Sequence, residues 1–231
     1  MNSDAAAPAP TRRRAPALYI VTDRHATQDR PLPAVLERAL VGAARAGVSP
    51  GAVAVQLREK DLEARALLEL ARPLRALTAR FGAQLYVNDR VDVALAAGAD
   101  GVHLAGTSLT PAEVRVIAPT LSVGISAHGV ADLTHAASAP NVSFAVLGPI
   151  FDTPSKRRFG APLGLDALAA AALSPVPPVL AIGGVTVGNI RACLLAGAAG
   201  IACIRALLAE PDPEEIAFLL CRAILEGART H

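Results

Sequence analysis

The sequence predicts an α/β fold, a single (β/α)8 TIM barrel, on three observations. Short β-rich runs alternate with Ala/Leu-rich helical runs along the whole chain, the pattern of βα units laid into a parallel sheet. The alternation repeats eight times between residues 17 and 231, and eight units close a parallel sheet into a barrel. Hydrophobic residues make up 52% of the chain while aromatics make up 3% and Trp is absent. The core must then be built from Ala, Val, Leu and Ile, which suits close helix-on-strand packing. The competing architecture, an open doubly wound sheet, needs fewer strands or a reversal of strand order.

The elements follow in order. Strand 1 is Leu18 to Thr22, and helix 1 runs from Pro33 to Ala46 with Gly47 as its stop. Strand 2 is Ala52 to Arg58. Helix 2 carries Leu67, Leu70, Leu74, Leu77 and Phe81 at spacings of three or four, so one face is apolar; Gly82 ends it. Strand 3 is Gln84 to Asn88, followed by a short helix from Val91 to Ala97 capped by Gly98. After strand 4, Gly101 to Leu104, Thr110-Pro111-Ala112-Glu113 has the form of a helix start, with Thr as N-cap and Glu at the third position. Strand 5 is Leu121 to Ser126, with a helix from near Val130, and strand 6 is Phe144 to Gly148. The longest non-periodic loop, Pro149 to Gly164, precedes helix 6 at Leu165 to Ala172; its length and its Lys and Arg residues suggest a lid. Strand 7, Val179 to Ile182, ends in Gly183-Gly184. Helix 7 carries Ile190, Cys193, Leu194 and Ala198, strand 8 is Gly200 to Ile204, and a last helix spans Glu214 to Glu226.

Composition narrows the function. The formal net charge is +2 and no basic face interleaved with aromatics occurs, which argues against a nucleic-acid partner. Three cysteines, Cys193, Cys203 and Cys221, match no zinc spacing and read as small buried hydrophobes in a reducing compartment. Residues 1–16, rich in Ala and Pro around Arg12-Arg13-Arg14, are expected to be a disordered tail rather than a signal peptide, with the barrel domain at 17–231. No apolar run approaches the roughly 20 residues of a bilayer span. The expectation is a cytoplasmic protein with no membrane partner; a homo-oligomer is compatible with the sequence.

In a barrel, chemistry sits at the C-terminal ends of the strands. Val55-Gln56-Leu57-Arg58-Glu59-Lys60 begins as a buried strand and ends in charges; strand alternation places Gln56, Arg58 and Lys60 on one face. Asn88 and Asp89 follow strand 3, and Ser126 and His128 follow strand 5. Thr153, Ser155 and Lys156 lie in the loop after strand 6, and Arg205 follows strand 8. Taken singly, each also suits a solvated loop; a closed barrel gathers them round one mouth. Arg58, Lys60 and Lys156 supply positive charge, and Asn88, Ser126, Thr153 and Ser155 supply donors, a set suited to a diphosphate. Asp89 among cations suits a Mg²⁺ ligand and equally a salt bridge with Arg90 or Arg58. Gly183-Gly184 before a helix leaves backbone N–H groups for a phosphate. His103, inside strand 4, reads as a structural histidine in a barrel layer, and His128 as a candidate general base.

Seven strings, in order, resemble the thiamine-phosphate synthase/TenI superfamily: Tyr19-Ile20-Val21-Thr22-Asp23, Gln56 to Lys60, Tyr86-Val87-Asn88-Asp89, Gly98 to Leu104, Val123 to His128, Gly148 to Lys156, and Ala181 to Val185. The resemblance implies a (β/α)8 barrel that joins hydroxymethylpyrimidine diphosphate to a thiazole phosphate and releases diphosphate. It implies that Gln56, Arg58, Lys60, Asn88 and Lys156 hold the pyrimidine diphosphate, that Ser126, Thr153 and Ser155 line its pocket, and that Asp89 binds the Mg²⁺ cofactor. Gly183 or Gly184, with backbone near Ile204 and Arg205, would take the thiazole phosphate. Arg58, Lys60, Lys156 and Ser126 would carry the catalytic work.

One departure bears on the metal. Synthases of this superfamily follow the strand-4 His with Gly-Gln and an acidic pair whose last acid is a second Mg²⁺ ligand; here the stretch is His103-Leu104-Ala105-Gly106-Thr107-Ser108-Leu109. Ser108 stands at the acid position, so metal affinity should fall. Ser108-Leu109-Thr110-Pro111 is more similar to the TenI branch, which includes thiazole tautomerases; there His128 would be the acid/base group. A non-catalytic ligand-binding regulator on the same barrel is a third alternative.

Overall fold

A computed structural model describes residues 15–137, 142–153 and 160–228; all but the last two residues of the expected tail lie outside them. Eight parallel strands pair in sequence order and close on themselves: β1 (Leu18–Val21), β2 (Val53–Leu57), β3 (Gln84–Asn88), β4 (Gly101–Leu104), β5 (Ser122–Ala127), β6 (Val142–Leu147), β7 (Val179–Ala181) and β8 (Gly200–Cys203). The expected (β/α)8 barrel is the fold. Between and after the strands come α1 (Leu32–Arg45), α2 (Ala64–Arg80), α3 (Val91–Ala97), α4 (Pro111–Ile117), α5 (Val130–Ala137), α6 (Gly164–Ala172), α7 (Ile190–Leu195), α8 (Arg205–Leu208) and α9 (Pro213–Ala228). The helix start read at Thr110 is a reciprocal cap: its side chain accepts from Glu113 N–H while Glu113 accepts from Thr110 N–H. The sequence missed α8 and a 3-10 turn at Arg24–Ala26, both too short to show a period.

Strand residues are buried on both faces, as a covered parallel sheet requires. One set, including Leu18, Ile20, Val55, Leu57, Leu85 and Val87, packs against the helices. The alternate set, Tyr19, Val21, Ala54, Tyr86, Phe144, Val146, Leu180 and Ala202, fills the barrel interior. Here the expectation of an all-aliphatic core needs correcting. Both tyrosines of the chain meet Phe144 inside the barrel, with ring centroids 5.0 Å apart for Tyr19–Phe144, 5.3 Å for Tyr86–Phe144 and 5.7 Å for Tyr19–Tyr86, all edge-on. Each such pair adds about 0.5–1.5 kcal/mol beyond area burial. The interior is therefore plugged, and the plug forms a floor beneath the C-terminal ends of the strands.

The first and last helices, α1 and α9, pack together, with Arg38 3.0 Å from Asp212 and Arg45 2.6 Å from Glu214 across the seam. Cys193, Cys203 and Cys221 are free and buried, and burial pushes the Cys203 and Cys221 thiols up to about 12. Among the described residues no helix is long and apolar enough to cross a membrane.

Candidate active site

Strand β2 stops at Leu57, so its alternation does not run on to Lys60, contrary to expectation. Gln56 is buried on the interior side, Arg58 is half-buried and Lys60 is exposed. The cause is Glu59, which the sequence reading passed over. Its carboxylate is 5% exposed and accepts from the Thr22 hydroxyl at 2.6 Å, from Arg24 N–H at 3.1 Å and from the Arg24 guanidinium at 3.1 Å. Thr22 Oγ1 in turn accepts from Arg58 N–H at 2.9 Å. A buried carboxylate needs such partners, and here they pin the segment after β2 to the end of β1. Arg24 also binds Asp61 and holds its carboxyl well below the usual carboxylate range. An acid between two cations, with a buried Thr at the end of the neighbouring strand, is the sequence signal for this clamp.

Beside Arg58, side chains from three strand ends form one hydrogen-bonded row. Gln56 Nε2 donates to Asn88 Oδ1 at 2.8 Å, and Asn88 Nδ2 donates to Asp89 Oδ2 at 2.6 Å. Asp89 Oδ1 accepts from Ala105 N–H at 3.0 Å and from the Ser108 hydroxyl. Asp89 itself has a left-handed backbone, φ +60°, a conformation Asp tolerates better than most residues. Its salt bridge with Arg90 does not form: Arg90 Nε donates instead to Asp92 at 2.9 Å. Arg58 has no ion-pair or side-chain hydrogen-bond partner among the described residues, while its charge and that of Asp89 both reach the buried His103. Ser108 sits directly against Asp89.

Below this row lies the aromatic plug. His103, 2% exposed, has Nε2 3.0 Å from Ser126 Oγ and Nδ1 3.2 Å from the Tyr19 hydroxyl. Burial drives its imidazolium down to about 3 against the opposing pull of Asp89, with the Arg58 charge a smaller push in the same direction as burial. It is a neutral, structural histidine, as its place inside strand 4 implied. His128, by contrast, is exposed; its Nδ1 faces the Gly148 carbonyl at 3.3 Å and its backbone N–H donates to Asp132 at 2.7 Å.

The other half of the mouth is made of backbone. Gly183 and Gly184 have φ of +90° and +66°. A Cβ on Gly183 would lie 2.6 Å from Pro149 Cβ; one on Gly184 would lie 2.7 Å from Phe151 Cβ and 2.9 Å from the Asp152 carbonyl. Glycine is required at both. Ile150 N–H donates to Ile182 at 2.8 Å and Phe151 N–H to Gly183 at 3.0 Å. Asn189, another residue not singled out in the sequence, closes the turn by donating to the Gly184 carbonyl at 3.0 Å and accepting from Thr186 N–H at 2.8 Å. Among the described residues the N–H groups of Gly183 and Gly184 have no acceptor, so they remain available to an anion. Ile204 is half-buried at the end of β8 and Arg205 is exposed. Thr153 is half-buried at the edge of the described loop; Ser155 and Lys156 lie outside the described residues. Both feet of that loop are tied down, Leu163 N–H to Pro149 at 2.8 Å and Gly164 N–H to Ile150 at 3.0 Å.

The mouth thus sets an unpaired guanidinium, a row of amide and hydroxyl donors and one carboxylate opposite a glycine turn with open N–H groups. That suits a ligand with phosphate at both ends. Among the described residues no group of three His, Cys, Asp or Glu is placed to hold a metal ion. A surface groove of about 390 Å³, lined by Arg24, Asp29, Arg30 and Leu70, belongs to the β1–α1 connection and shares none of these residues.

Comparison with known proteins agrees with the geometry. Residues 18–207 match the family described as thiamine monophosphate synthase. A Geobacter sulfurreducens protein, named provisionally as a thiamine-phosphate synthase, is 50% identical over 86% of this chain and 89% of its own. The thiamine-phosphate synthase of Roseiflexus castenholzii is 42% identical over 88% of this chain and 86% of its own. The solved structure of a thiamine phosphate pyrophosphorylase from Pyrococcus furiosus superposes with a TM-score of 0.80 at 31% identity, covering 94% of this chain and 97% of that one.

Proposed function

Because the chain belongs to the thiamine monophosphate synthase family, we propose that its barrel mouth joins hydroxymethylpyrimidine diphosphate to thiazole phosphate, giving thiamine phosphate and diphosphate. It is a transferase of the thiamine-phosphate synthase kind, and its place is in thiamine biosynthesis. The observation that carries the residue assignment is the convergence of unpaired Arg58 with the Gln56–Asn88–Asp89 row at one rim of the mouth.

The C–O bond between the pyrimidine methylene and the diphosphate breaks first, its electron pair leaving with the diphosphate. Arg58, Lys60 and Lys156 balance the charge that builds on the leaving group, and Gln56 and Asn88 orient it. Ser126, Thr153 and Ser155 line the pyrimidine and diphosphate pocket. The thiazole phosphate is held by the N–H groups of Gly183 and Gly184, with backbone near Ile204 and Arg205. That places its ring nitrogen, whose lone pair forms the new C–N bond, against the pyrimidine cation. Asp89 is a single carboxylate already held by three donors. Its carboxylate is the oxygen ligand in the row that would hold a Mg²⁺. When bound, the ion neutralises charge on the departing diphosphate. The unit that does this work is residues 17–231, and the buried free cysteines support a reducing compartment such as the cytoplasm.

The test is turnover of the two substrates by the purified chain with Mg²⁺, read as thiamine phosphate. Formation of product supports the assignment. Silence there, with isomerisation of the thiazole carboxylate phosphate, would make this a tautomerase, with His128 the group to substitute next. Silence with both, together with capture of a partner enzyme, would make it a regulator.

A further inference from the structure

Ser126, at the mouth end of β5, is connected through His103 to a residue that never reaches the surface. The ring of His103 lies between Ser126 Oγ, 3.0 Å from Nε2, and the Tyr19 hydroxyl, 3.2 Å from Nδ1. Tyr19 is 0% exposed. The cage around the ring is apolar, with Tyr19 and Phe144 centroids at 5.6 and 6.1 Å. A Cβ on Gly124 would lie 2.9 Å from Nδ1, so glycine at that position is what lets the imidazole lie there.

The polarity of this chain follows from counting protons. Among the described residues the Tyr19 hydroxyl has one hydrogen-bonding neighbour, Nδ1. A buried O–H left without an acceptor is costly, so Tyr19 donates and Nδ1 accepts. A neutral imidazole with Nδ1 accepting carries its proton on Nε2. Nε2–H then donates to Ser126 Oγ. One of the two lone pairs of the serine oxygen is taken, the hydroxyl proton is turned away from Nε2–H, and that proton is left to give away.

We propose that Tyr19 and His103 are positioning residues that turn the Ser126 hydroxyl proton toward an acceptor atom of the pyrimidine diphosphate, a ring nitrogen or a diphosphate oxygen. The identity of that ligand rests on the synthase assignment; the direction of the hydrogen bonds does not. A serine free to rotate would offer a lone pair as readily as a proton and would accept the wrong edge of a pyrimidine. The relay takes one of the two lone pairs and biases the hydroxyl toward donating.

Two measurements on the full chain test it. The first is long-range ¹H–¹⁵N correlation of the ¹⁵N-histidine protein, with His103 assigned by its loss in His103→Gln. The expected result is the Nε2–H tautomer, with the Nδ1 resonance moving in the isosteric Tyr19→Phe variant. An Nδ1–H tautomer, or an unmoved Nδ1 resonance, overturns the proposal. The second is kinetic. His103→Leu should lower kcat on the order of 10²-fold, while the KM for the thiazole phosphate stays within twofold of the starting value, about the scatter of such measurements. His103→Gln, whose amide N–H reaches toward the position of Nε2–H, should recover about a tenfold part of that loss. In a Ser126→Ala background, His103→Leu should cost nothing further. The same loss in both backgrounds would mean that His103 only packs the barrel and would overturn the proposal. A starting protein that makes no thiamine phosphate would sink the synthase assignment instead, and the tautomer would still decide for or against the relay.

Discussion

The two halves of the barrel mouth are built from different materials. From β2 to β5 the rim is side chains, Arg58, Gln56, Asn88, Asp89, Ser108 and Ser126, most of them wired to one another. From β6 to β8 its described part is mostly backbone, the Gly183-Gly184 turn laid against residues 149–152 and closed by Asn189. The first half offers charge and placed donors, the second shape and N–H groups that have no acceptor among the described residues. A substitution in the first half should therefore change the chemistry with little effect on folding, and one in the second should change folding and binding together.

The largest effect expected is at Arg58. Arg58→Ala removes a cation that supports no structure, its side chain having no partner among the described residues. Loss of one such transition-state contact costs about 10²–10³-fold in turnover, with the melting temperature nearly unchanged. Lys156→Ala, in the loop after β6, should also cut turnover by orders of magnitude, on the order of 10²-fold. Near-normal thiamine phosphate synthesis by Arg58→Ala would show that the side-chain half is not where the diphosphate leaves. Next in size is Gly184→Ala, the counterpart in the backbone half. Its φ of +66° and the 2.7 Å approach to Phe151 Cβ leave a methyl group no room. The strain should cost about 1–3 kcal/mol of stability, measurable by urea unfolding, and should raise the KM for thiazole phosphate more than that for pyrimidine diphosphate. The opposite order of the two KM changes would break the division of labour.

The halves also differ in how they read from sequence. The eight strands were legible because each is a short apolar run bounded by Gly, Asp or a charge, and strand positions hold to within one or two residues. The side-chain rim was legible because charges and amides follow directly on those runs, and the glycine pair because strand, glycines and helix start stand together. What did not show is whatever depends on closure. Tyr19, Tyr86 and Phe144 are far apart in the chain and meet only when the barrel shuts. Glu59 reads as one more surface charge until β1 lies beside β2 and supplies Thr22 and Arg24. Alternation placed Gln56 correctly inside and failed at Lys60, because a buried carboxylate, not the strand pleat, directs the chain after Leu57.

A smaller effect sharpens the account of what lies beneath the side-chain half. His103 has its folded pKa lowered to about 3 from an ordinary 6.5, chiefly by burial. Between those values the unfolded chain takes up a proton that the folded protein refuses. The stability contribution is full above pH 6.5 and declines as pH falls toward 3, by up to about 1.4 kcal/mol per pH unit. From pH 6.5 to 5 the loss is about 2 kcal/mol by the same slope. Urea unfolding at the two pH values should show it, and His103→Gln should flatten the difference. An equal loss in both proteins would place the titration elsewhere.

The smallest change expected is the one at the metal. In the present chain Ser108 donates to Asp89, which leaves a single negative charge facing the mouth. Ser108→Asp sets a second carboxylate there, and two carboxylates in contact repel unless a proton or a cation lies between them. Without Mg²⁺ the variant should therefore be slightly less stable than the parent. Added Mg²⁺ should raise the variant's melting temperature and leave that of the parent nearly unmoved, because only binding to the folded state shifts stability. The Mg²⁺ concentration for half-maximal turnover should fall several-fold, on the order of 1 kcal/mol of added affinity. A melting temperature as indifferent to Mg²⁺ as that of the parent would place the ion away from Asp89. The diphosphate would then have to be neutralised by Arg58, Lys60 and Lys156 alone, making the mouth more purely cationic than its one carboxylate suggests.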